Sequence, residues 1–102
     1  MNIKMRTSGD VLYVHITGEL DHHVAAPIRE EIDKELNANE KLTNIEFDFS
    51  DLTFMDSSGI GVIMGRYKIV EKRGGGVYAS HVRPQVQKLL SLSGLLNILT
   101  II

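Results

Sequence analysis

The chain has 102 residues, 43% apolar and 24% charged, with a net charge of −2 and a pI near 6.0. That is enough apolar material for one core, and the charge supplies no global field that would draw the chain to nucleic acid or to acidic membranes. There is no cysteine, so neither a disulfide framework nor a thiolate metal site is expected. No apolar run reaches about 18 residues, the length a spanning helix needs. The opening MNIKMRTSGD lacks the apolar core and small-residue cleavage site of a secretion signal. These features predict a single cytoplasmic domain over residues 1–102.

Residues 2–7 and 11–17 read as two strands joined by a tight turn at Ser8-Gly9-Asp10. In the second, Leu12, Val14 and Ile16 share one face, and Tyr13, His15 and Thr17 the other. GELDHH, residues 18–23, breaks the alternation and leads into a helix over 24–37. Pro27 is tolerated only in the first turn of that helix, which fixes its start. Ile28, Ile32 and Leu36 then form an apolar stripe. IEFDFS, 45–50, alternates again, with Ile45, Phe47 and Phe49 inward.

A second helix is predicted from Ser57 to Arg73, with Ile60, Ile63, Tyr67 and Val70 on its buried face. Lys72 and Arg73 suit its C-terminal dipole, and Gly74-Gly75-Gly76 ends it. VYAS, 77–80, is a further strand, and Pro84 opens a short helix that closes near Gly94 with Val86, Leu89 and Leu90 inward. NILTII can finish as an edge strand. This order predicts an α/β fold: a mixed, mostly parallel sheet of four to five strands, with helices mainly on one face.

The chemistry concentrates in MDSSGIGVIMGRYK, 55–68. Functional groups in open sheets gather beyond the carboxyl ends of strands, and Asp56, Ser57 and Ser58 fall there. One of these oxygens can serve as a helix N-cap, and Ser57 or Asp56 is the candidate. One cap needs one oxygen, yet three are present. Gly59, Gly61 and Gly65 add a cost of about 0.5–1 kcal/mol each relative to alanine, which implies close approach of something. Beside the serines, Gly59 and Gly61 are expected to face an outside surface, whereas Gly65 is open between internal packing and partner contact. A phosphate on a hydroxyl at such a helix start is favoured by free N–H groups and the dipole.

Enzyme readings fit poorly. The serines are not in a G-x-S-x-G elbow, a triad needs a positioned histidine, and G-x-G-x-x-x-G misses the dinucleotide fingerprint. Adjacent His22 and His23 poorly match two-ligand metal spacing; they read as surface turn residues or partner contacts.

GELDHH, DLTFMDSSGIGVIMGRYK and LSGLLNI resemble the STAS-domain anti-sigma factor antagonists over about residues 2–102, and GELDHH with MGRYK points to the sporulation sigma F branch of endospore-forming bacteria. The resemblance implies a single STAS domain, no enzymatic activity and no cofactor or metal. It implies a partner switch. The unmodified domain binds an anti-sigma factor that is a serine kinase, holding ADP or ATP, and so frees the sigma factor. The kinase phosphorylates the position of Ser57, and a serine phosphatase resets it. Asp56 and Ser58 map beside the acceptor, and Asp21, His22 and His23 to a partner-binding loop, with Gly59 and Gly61 expected on the same surface. Relatives often carry a last helix beyond the position of Ile102, so NILTII is expected to be partly uncovered. Two rivals are a small anion- or nucleotide-binding module around Ser57–Gly59 and a transporter's cytoplasmic tail; the start at Met1 and the lack of a linker argue against the second.

Overall fold

A computed structural model describes residues 2–102; Met1, the first residue of the expected domain, lies outside the described residues. The elements are β1 (Ile3–Ser8), β2 (Val11–Ile16), β3 (Gly18–Leu20), α1 (Ala25–Ala38), β4 (Asn44–Asp48), β5 (Leu52–Met55), α2 (Ser57–Lys72), β6 (Val77–Ser80), α3 (Pro84–Leu92), a 3-10 turn (Leu95–Asn97) and β7 (Leu99–Ile101).

Five strands form the main sheet in the order β1-β2-β4-β6-β7. The first pair is antiparallel, closed by Gly9 at φ 59, and the others are parallel. The period-two patterns hold in the three central strands: Leu12, Val14, Ile16, Ile45, Phe47, Val77 and Ala79 are all buried on one face. The intervening residues Tyr13, His15, Glu46, Asp48, Tyr78 and Ser80 are only half-buried. The helices therefore cover one face, with Ile28, Ile32 and Leu36 of α1 and Ile60, Ile63 and Val70 of α2 in the same core.

GELDHH does more than break the alternation of β2. Its first three residues form β3, which pairs in parallel with β5 as a separate two-stranded sheet, with a register shift between Gly18 and Glu19. The expected strand over 45–50 ends at Asp48, and the chain turns through Ser50, whose N–H donates to Asp48 Oδ1 at 2.9 Å. This small sheet is the base on which the start of α2 rests.

Arg73 is the C-cap of α2, as its place in the sequence suggests, and its guanidinium does more than complement the helix end. It donates to the carbonyls of Leu36, Asn39 and Leu42 at 3.0–3.3 Å, tying α2 to the end of α1 and the following loop. Gly75 sits against the backbone there: a Cβ would lie 1.5 Å from Thr43 O. At the far edge, Leu99 of β7 is buried while Ile101 and Ile102 are exposed.

Candidate functional site

The amino-terminal tip of α2 follows β5 directly. Asp56 is the N-cap: its backbone is extended, and its Oδ1 accepts from Ser58 N–H at 2.8 Å. Its carbonyl also accepts from Gly59 N–H at 3.0 Å. Capping therefore falls to Asp56 and not to either serine. Ser57, the first helical residue, is exposed, and Ser58 is half-buried.

Gly59 corrects the expectation that it faces outward. It is buried, and a Cβ there would lie 2.6 Å from Met55 Cγ and 3.0 Å from Leu20 Cγ. Its missing side chain lets the first turn of α2 press onto β3 and β5. Gly61 is exposed, and Gly65 is half-buried; a Cβ on either meets nothing within 4 Å. The internal-packing alternative for Gly65 thus has no neighbour to pack against.

The loop between β3 and α1 lies beside this tip. The Asp21 carbonyl accepts from Val24 and Ala25 N–H, and its Oδ1 accepts from His23 N–H at 2.9 Å. Burial pushes the Asp21 carboxyl up, but the hydrogen bond from His23 and that residue's charge outweigh it and hold the group below its ordinary range. The His22 and His23 rings lie against each other at a tilt, with centroids 3.9 Å apart and an interplanar angle of 37°. His22 Nδ1 is 4.0 Å from Asp56 Oδ2, so the loop and the cap adjoin. The structure thus brings Asp21, His22, His23, Asp56, Ser57 and Ser58 to one end of the molecule, with Gly61 one turn further along α2.

Sequence reasoning missed Arg66. It is 7% exposed, packed between α1 and α2, with its Nε 2.9 Å from Asp33 Oδ1. A signal was available: Val62, Arg66 and Val70 repeat every four residues, which places Arg66 on the buried stripe. Two further pairs went unread at the carboxyl end of the main sheet, His15 with Asp51 at 2.8 Å and His81 with Asp48 at 3.1 Å. Neither histidine touches the serines.

The STAS domain family matches residues 2–102. The anti-sigma F factor antagonist of Paenibacillus polymyxa is 40% identical over 101 residues, 99% of this chain and 86% of that protein. The unphosphorylated anti-sigma factor antagonist SpoIIAA superposes with a TM-score of 0.79 at 26% identity, over 98% of this chain and 86% of that one. The Bacillus cell fate determinant SpoIIAA in its phosphorylated form gives 0.77 at 29%, over 98% and 90%. This chain belongs to the STAS domain family. Among the described residues no helix is long and apolar enough to cross a membrane.

Proposed function

We propose that this chain is an anti-sigma factor antagonist: in the unmodified form it binds an anti-sigma factor serine kinase in the cytoplasm and so releases a sporulation sigma factor. It acts by docking and not by catalysis. Phosphorylation of Ser57 ends the docking, and a serine phosphatase restores it. The observation that carries this reading is the division of labour at the tip of α2: Asp56 satisfies the helix start and leaves the exposed Ser57 hydroxyl without a structural task. The likeness to an anti-sigma F factor antagonist, and to SpoIIAA in phosphorylated and unphosphorylated forms, supports it.

The physics of the switch is local. A phosphate adds about −1.5 to −2 charges at neutral pH. It would stand one residue from the Asp56 carboxylate, at a helix start whose N–H groups tolerate an anion. The fold needs no rearrangement, while an apolar or acidic partner surface meets an uncompensated charge. A loss of about 3 kcal/mol, roughly hundredfold in affinity, is within reach of one such contact. The test is incubation with the cognate kinase and ATP, followed by mass spectrometry of the 55–68 peptide. One phosphate on Ser57 is expected; an unmodified peptide, or a phosphate on Ser58 alone, overturns the reading.

A further inference from the structure

The amino-terminal halves of α1 and α2 do not close on each other. Ala25 and Ala26 on one side and Gly61 on the other line an open groove of about 430 Å3. Its polar lining is His22, Arg29, Ser58 and Arg66, and none of its lining residues is acidic.

Arg66 is the group that marks this groove. It is more than nine-tenths buried, yet it is poorly bonded. Its Nε lies 2.9 Å from Asp33 Oδ1, but neither atom makes a directed hydrogen bond, and its Nη1 reaches Val62 O at a long 3.3 Å. Burial lowers its pKa, Asp33 works against that, and the nearby charge of Arg29 lowers it further. Arg66 thus has one acid, Asp33, in a largely buried place, and a second guanidinium, that of the exposed Arg29, adds its charge to the same groove. The two cations of the lining outnumber the one acid paired with Arg66, and the natural relief is a second anion. A guanidinium pair with planar donors suits a carboxylate well.

We propose that this groove receives an aspartate or glutamate side chain presented by the protein that docks over Ser57. The walls of alanine and glycine admit a side chain, and the charge of the lining selects a carboxylate. Ser58 belongs to both the α2 tip and the groove, so a partner covering the first reaches the second. This inference rests on the docking reading above and deepens it. A phosphate on Ser57 would compete with the partner's carboxylate for the same cations, so that release is driven by displacement as well as repulsion.

The test uses the full chain and two independent arms. In the first, the 15N-labelled protein is titrated with a capped Gly-Glu-Gly peptide, with its Gly-Gln-Gly counterpart and with inorganic phosphate. Saturable shifts at Ala25, Ser58, Gly61 and the Arg66 Nε signal are expected for the Glu peptide and not for the Gln peptide, with inorganic phosphate saturating more weakly, and are expected to vanish in Arg29→Glu. Equal shifts with the Gln peptide, shifts that survive Arg29→Glu, or tighter saturation by phosphate each overturn the carboxylate assignment. In the second arm, Arg29→Glu and Arg29→Gln are compared with wild type for kinase binding while circular dichroism reports the fold. A loss of about tenfold or more for Arg29→Glu, with a smaller loss for Arg29→Gln, is expected of a desolvated charge contact. Binding by Arg29→Glu at wild-type strength overturns the proposal. The peptide arm needs neither kinase nor phosphorylation, so an unphosphorylated Ser57 would sink the switch while leaving this site to be judged separately.

Discussion

One added methyl group at Gly59, Gly61 or Gly65 separates the two reasons a helix can carry glycine. At Gly61 and Gly65 an alanine Cβ meets no atom within 4 Å, so the substitution gains helix propensity of about 0.5–1 kcal/mol without a clash. At Gly59 the same atom would lie 2.6 Å from Met55 Cγ and 3.0 and 3.1 Å from Leu20 Cγ and Cδ2. Both neighbours are buried, at 7% and 0% exposure, and cannot swing into solvent. Overpacking of this kind costs about 1–3 kcal/mol, which exceeds the propensity gain, so Gly59→Ala is expected to be destabilised by roughly 1–2 kcal/mol. For a domain of this size one kcal/mol moves the melting temperature by about 4–8 °C. Thermal melts followed by circular dichroism should therefore place Gly61→Ala and Gly65→Ala a few degrees above wild type and Gly59→Ala about 5–15 °C below it. If Gly59→Ala melts at or above wild type, the close approach of α2 to β3 and β5 is not what requires the glycine.

Three further substitutions probe other parts of the molecule. Ser57→Asp is expected to lose kinase affinity by about ten- to a hundredfold with an unchanged far-ultraviolet spectrum, whereas Ser57→Ala should bind as wild type; calorimetry showing equal affinity for both would refute the charge argument. Arg73→Ala removes charge-assisted hydrogen bonds to three carbonyls and should lower stability by about 2 kcal/mol, read as a drop in the urea midpoint that Arg73→Lys only partly recovers. Burial pushes the Asp48 carboxyl up, but the hydrogen bond from Ser50 and the charges of His81 and His15 outweigh this and hold its pKa below the ordinary value. The sign follows: its contribution is present above the unfolded value near about 3.9 and is lost as pH falls through the lower folded value. Asp48→Asn should therefore melt below wild type at neutral pH, and the gap should narrow on acidification below about pH 4; a gap independent of pH would contradict the assignment.

Most of the scaffold was legible because its elements follow a single period over enough residues. The alternation of β2 and β4 and the four-residue repeat of α1 placed Leu12, Phe47 and Ile32 in the core, where all three are fully buried. The paired strands β3 and β5 were not legible for a physical reason. They have three and four residues, β5 is buried only at its two ends, and each finds its partner some thirty residues away. No local pattern encodes such a pairing. The same holds for Arg66 and Asp33, whose meeting exists only once α1 packs on α2. Asp56 as the cap was half legible: its residue type is favoured there, but so is serine, and only the 2.8 Å bond to Ser58 N–H decides between them.

The two strands that the sequence hides explain why a modification at this tip would be read by docking and not by a change of fold. The first turn of α2 is held from beneath by the Gly59 contact with Leu20 and Met55, and by Asp56 N–H donating to Leu20 O at 3.4 Å. It is held from within by the Asp56 cap. Ser57 lies on the opposite, exposed side of that anchored turn. A charge added there has no buried neighbour to displace, and the turn has no slack with which to retreat. Its free energy must then appear in whatever approaches from outside. Because the groove between α1 and α2 opens beside the same turn through Ser58, an approaching surface would meet a hydroxyl and a cationic cleft together, and a phosphate on Ser57 would alter both at once.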